Sequence, residues 1–133
     1  MTKKELIMST LEGKMGYCPE IDEDGDIKFA YQLKTIYVMT SDDDEPYVSV
    51  MLLRFHIIED GKETVALAVC NKMTRELKLA KVFVEQTFKH VSATCEFYYS
   101  SKKSLLQNLE KSLELLGVVR TVFRDDMDEL SED

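Results

Sequence analysis

Toward the end of the chain, Leu105, Leu109, Leu113, Leu116, Val119 and Phe123 recur at steps of three or four residues. This spacing lines them along one face of an amphipathic helix over about residues 104–123. Gln107, Asn108, Glu110, Lys111 and Glu114 fall on the opposite face, and Ser101 or Ser104 can accept from the first free amides as an N-cap. A stripe of that length needs an apolar surface to cover. At the other end, Thr2-Lys3-Lys4-Glu5 has the spacing of a capping box, so a short helix is expected to start there. Its buried side is Ile7, Leu11 and Met15, with Met8 beside them, and Gly13, Gly16 and Pro19 end it.

Between these helices the period is mostly two. Ile27, Phe29 and Tyr31 alternate with Asp26, Lys28 and Ala30 after Asp24-Gly25, a dipeptide suited to a tight hairpin turn. Ile36 and Val38 alternate with Tyr37 and Met39 in a further extended segment, which stops at the acidic run Ser41-Asp42-Asp43-Asp44-Glu45-Pro46, read as a surface loop. Tyr47 to Ile57 is the most strand-like run. Met51, Leu53, Phe55 and Ile57 share one face; Val48, Val50 and Leu52 share the other. Asp60-Gly61-Lys62-Glu63 offers a second capping signature, and Val65, Ala66, Val69, Cys70 and Met73 follow at helical spacing. Two more extended runs follow, about 77–85 and 91–98. In the second, Val91, Ala93, Cys95 and Phe97 alternate with polar neighbours.

These elements define an α+β fold: one mostly antiparallel sheet of about five strands with helices packed on it, in the order α-β-β-β-α-β-β-α. At 133 residues one domain is expected, over 1–124, with a frayed acidic end over 125–133. A net charge of −8 opposes binding to nucleic acid or anionic lipid, and no basic stripe with interleaved aromatics offsets it. The three cysteines form no CxxC pair and read as reduced thiols. The charged N-terminus lacks an apolar signal core and no run is long enough to span a membrane, so a cytoplasmic location is expected.

No catalytic, cofactor or metal set emerges. Glu20 to Ile27 partly mimics a calcium loop, but its twelfth position is Tyr31 where a bidentate Glu is needed, so it reads as an acidic turn. His56 and His90 stand on separate strands with no ligand or base partner at a fixed spacing. The cysteines lack a base and an oxyanion donor, and the isolated glycines make no phosphate loop.

In its order of elements the chain resembles the YbjN-like family, bacterial proteins grouped as sensory-transduction regulators, which shares its fold with the small acidic chaperones of type III secretion. The resemblance rests on the Asp24-Gly25-Asp26-Ile27 hairpin, the helix ending at Asn71, the Lys81-to-Phe97 hairpin and the closing Leu-rich helix. It implies a non-catalytic domain, often dimeric, that acts through protein contacts: chaperone-like or regulatory, using a sheet face and helix edges. The alternative is an enzyme or small-ligand binder whose site is assembled from residues distant in sequence.

The partner or dimer contact is expected at Val48, Val50 and Leu52, joined by Tyr37 and Met39. If Met51, Leu53 and Phe55 pack under the helices, the other set must emerge on the far face of the sheet. Burial of Val48, Val50 and Leu52 under the chain's own first helix is the competing arrangement.

Overall fold

The computed structural model describes residues 1–40 and 45–131. Most of the acidic loop, residues 41–44, and the last two residues lie outside the described residues.

Thr2 caps the first helix, α1 (Lys3–Ser9), as its spacing predicts: its side chain accepts from the Glu5 amide at 3.1 Å. The helix widens into a π-helical turn, Thr10–Lys14, closed by the Met15 amide on the Thr10 carbonyl at 3.2 Å. The strands are β1 (Glu20–Ile21), β2 (Ile27–Tyr31), β3 (Lys34–Met39), β4 (Tyr47–Ile57), β5 (Ala80–Val84) and β6 (His90–Tyr98). Helix α2 (Glu63–Glu76) separates β4 from β5, and α3 (Lys102–Ser131) closes the chain. They form one antiparallel sheet of six strands in the order β1-β2-β3-β4-β6-β5. The sixth strand, β1, is two residues long and is the first arm of the hairpin expected to turn across Asp24-Gly25, with Ile21 paired to Ile27.

In that turn the Asp22 carboxylate accepts from the Asp24 and Asp26 amides, each at 2.9 Å, and Gly25 takes φ +86°. The Asp22 Oδ1 atom that a calcium loop would aim at a cation is therefore spent on backbone donors. At α2 the expected Asp60 cap does not form: the helix starts at Glu63, whose own carboxylate reaches back to the Gly61 amide at 3.4 Å.

One row of residues shows how the core is assembled. Ile27, Val38, Val50, Cys95 and Ala80 are register partners in succession across five strands, and each is at most 4% exposed. The helices bury Ile7, Leu11, Ala66, Val69 and Met73 in the same cluster, together with the α3 stripe from Leu105 to Phe123. Because successive side chains on a strand point to opposite faces, helices that all pack on this row leave the other face without a helix.

Two corrections concern the ends of this core. Helix α3 continues past residue 123 through Ser131, where a frayed acidic end was expected, because Met127 and Asp126 are buried and Asp126 accepts from Lys72 of α2 at 3.1 Å. Phe55, expected beside Met51 and Leu53, is turned inward. The β4–β6 register slips between Leu52 and His56 around Arg54, at φ +49°, whose amide donates to Ser92 at 2.8 Å. Phe55 and His56 then both meet the Phe123 ring, at centroid distances of 5.5 and 4.8 Å. This apolar setting holds the His56 imidazole below its ordinary pKa through burial.

Candidate functional site: the helix-free face of the sheet

Next to the core row runs a second one, Lys28, Tyr37, Met51, Thr94 and Lys81, again register partners across β2, β3, β4, β6 and β5. Five strands at their usual spacing make it about 19 Å long. Its side chains point away from the helices. Tyr37 and Met51 are half-buried and, among the described residues, stand outside the core cluster. Met39, Tyr47 and Leu53 extend the same surface as half-exposed apolar side chains, and Tyr98 stands 63% exposed at its rim, its ring 5.1 Å from that of Tyr47.

The expected contact set is therefore split by the sheet. Val48 and Val50 are fully buried and Leu52 is 4% exposed, all three inside the core, so they offer no surface to a partner. Their cover is α3, which packs on β4, β5 and β6, more than the first helix. Tyr37 and Met39 do lie on the outer face, and their strand neighbours there are Met51, Leu53, Tyr47 and Ser49. In β4 alone both faces are apolar, which hid this assignment. The signal that finds it lies in β6: its apolar set, Phe97, Cys95 and Ala93, pairs with Val48, Val50 and Leu52, while its polar set, Glu96 and Thr94, pairs with Ser49 and Met51.

The outer face carries a polar seam through its apolar surface. Ser49 and Thr94 share a hydrogen bond at 3.0 Å, and the Ser92 hydroxyl donates to Glu85 at 2.5 Å. Glu96 lies at the centre of a three-residue cluster, paired with the Lys81 ammonium and accepting from the Tyr47 hydroxyl. Lys81 first, and then Tyr47, hold the Glu96 carboxyl below the usual carboxylate range. The same hydrogen bond, helped by burial, pushes the Tyr47 phenol up to about 12.

The sheet also parts between β3 and β4. They pair only from Tyr37 to Met39, and a cleft of about 240 Å³ opens beyond, between Thr35 and Leu53, with Arg120 of α3 also lining it. Behind Tyr47, the buried Lys3 ammonium donates to the carbonyls of Glu45 and Tyr47 at 3.0 and 3.1 Å, fixing the start of β4 to α1. His90 pairs with Ile57 at the far end of the sheet, one register position from the pairing of His56 with Val91. Among the described residues no group of three His, Cys, Asp or Glu side chains is placed to hold a metal ion, and no helix is long and apolar enough to cross a membrane.

The fold thus has helices on one face of its sheet and a half-apolar surface on the other. The chain belongs to the family described as "T3SS (YopN, CesT) and YbjN peptide-binding chaperone 1", whose model matches residues 2–129. Its fold is that of YbjN from E. coli, with a TM-score of 0.67 over 96% of this chain and 93% of that one, at 9% identity. An uncharacterized protein from Methanothermobacter thermautotrophicus superposes with a TM-score of 0.55 over 92% of this chain and 97% of the other, at 13% identity. No curated protein sequence matches the chain.

Proposed function

We propose that this domain is a non-catalytic, chaperone-like holder of protein segments, which lays an apolar stretch of a partner across the helix-free face of its sheet. The observation that carries the reading is the outer row itself: Tyr37 and Met51 flanked by Met39, Tyr47 and Leu53, with no helix above them among the described residues. Membership of a peptide-binding chaperone family supports a peptide as the occupant. Side chains on the face, more than the sheet's edges, would make the contact. One edge is the two-residue β1 and the other is blocked at Val82 by Thr74, which limits strand addition. We place the domain in the cytoplasm, in line with its charge and reduced thiols.

The test uses fluorescein-labelled, reduced and carboxymethylated α-lactalbumin, a chain that cannot refold, followed by anisotropy and light scattering. The wild-type domain should capture it. Met51→Lys should keep its circular dichroism spectrum and lose capture, because the new charge meets the bound apolar segment. Val50→Lys, by contrast, should unfold the domain. Capture unchanged in a folded Met51→Lys variant would contradict the reading. If a second copy of the chain occupies the face instead, as the expected homodimer would, scattering should show a wild-type dimer that Met51→Lys converts to a monomer.

A further inference from the structure

Away from the sheet's outer face, a groove of about 640 Å³ runs between the first helical segment and the start of α3. Leu6 and Leu106, both half-buried, give it an apolar floor, and the exposed lysines Lys14, Lys102 and Lys103 stand along it. Among the described residues no acidic side chain lines it. In a chain with 25 acidic and 17 basic residues, three cations without an acid among them are a local reversal of charge. None of the three makes an ion pair among the described residues. Helix α3 begins at Lys102, so the positive end of its dipole adds to the same potential.

The backbone keeps the groove open. Gly13 lies in the π-helical turn and lines the groove, and a Cβ built on it would meet nothing within 4 Å. A glycine costs helix stability relative to alanine. No close approach within the chain requires one here, and what it leaves is room. A second depression, lined by Met1, Thr2, Lys3, Leu6 and Tyr99, shares Leu6 with the groove.

An apolar floor under a cationic rim fits one kind of occupant: a segment whose apolar side chains seat on Leu6 and Leu106 while its carboxylates meet the lysines. We propose that this groove binds an acidic amphipathic segment of the partner protein. The proposal rests on the reading of the domain as a peptide holder and adds the charge of the segment it takes. Recognition here is electrostatic as well as apolar, so it weakens as salt rises.

The probe is a short fluorescein-labelled peptide with leucines at helical spacing and glutamates between them, compared with versions carrying glutamine or lysine in place of glutamate. The glutamate peptide should bind, the glutamine peptide more weakly and the lysine peptide not at all. Lys102→Glu with Lys103→Glu should weaken the glutamate peptide about ten-fold or more. Gly13→Trp, which the backbone has room for, should block it while circular dichroism stays native. Met51→Lys should leave it unchanged. Loss of the groove's binding with α-lactalbumin capture intact would sink this inference alone, and the reverse would sink only the sheet-face reading. Equal binding of the glutamate and lysine peptides, no binding of the glutamate peptide, or indifference to both the charge reversals and Gly13→Trp would overturn the proposal. So would a concentration-dependent self-association abolished by the same variants, which would make a second copy the occupant.

Discussion

Thr74 of α2 occupies the outer edge of β5 at Val82: its hydroxyl accepts from the Val82 amide at 2.9 Å and donates to the Val82 carbonyl at 3.1 Å. An edge strand with free amides and carbonyls is a template for another chain, and here one side chain satisfies both groups. Thr74→Val keeps the shape and removes the hydroxyl. It should cost about 1 kcal/mol, by the usual net worth of such bonds, and should raise concentration-dependent association. Urea midpoints and sedimentation velocity check both; an unchanged midpoint with no association would mean the plug is dispensable.

Gly117 sits where α3 passes the β2–β3 turn. A Cβ there would lie 3.1 Å from the Gln32 side-chain oxygen and 3.3 Å from the Tyr31 ring. Gln32 can swing away, but Tyr31 is braced by an edge contact with Tyr17, centroids 5.9 Å apart. Gly117→Val should therefore destabilise the domain by about 1 to 3 kcal/mol, the range for overpacking. Gln32→Ala should not rescue it. A denaturation midpoint equal to wild type would show that the helix shifts at no cost.

The thiols should divide by burial. Cys18 is exposed, whereas burial pushes Cys70 up to about 12 and Cys95 up to about 11. Ellman's reagent should modify Cys18 in the native protein and reach the other two only in denaturant. Rapid modification of Cys70 or Cys95 under native conditions would mean that the core opens readily.

Glu96 gives a pH dependence with a definite sign. Its folded carboxyl is held below the ordinary value, chiefly by Lys81 and then by Tyr47. A depressed acid contributes stability that is present above its unfolded pKa, about 4.3, and is lost as pH falls through the lower folded value. Urea midpoints followed from neutral pH into acid should fall less steeply for Glu96→Gln than for wild type. Identical profiles would mean that the cluster contributes nothing to acid stability.

How much of this was legible depended on how local each signal is. The stripe from Leu105 to Phe123 announces α3 because one element carries all of it, and Thr2 announces α1 for the same reason. Which face of β4 is covered was not readable from β4, where Val50 and Met51 are both apolar; the answer sits in Cys95 and Thr94, more than forty residues away. The slip at Arg54 and the turn at Gln32 and Leu33 use positive φ at residues that carry no turn signal. The continuation of α3 past Phe123 depends on Lys72, which pairs with Asp126 only once α2 and α3 have packed. The groove beside Leu106 is likewise built from Lys14 and Lys102, which come together only in the folded chain.

The most direct test of the docking face uses the methionines it contains. Met39 and Met51 lie on the helix-free face, while Met73 is 1% exposed in the core. With methyl-13C methionine, their NMR signals can be followed as carboxymethylated α-lactalbumin is added. The methyl resonances of Met39 and Met51 should shift or broaden with the bound fraction, and that of Met73 should stay in place. Capture of the unfolded chain with Met39 and Met51 undisturbed would contradict the assignment of this face.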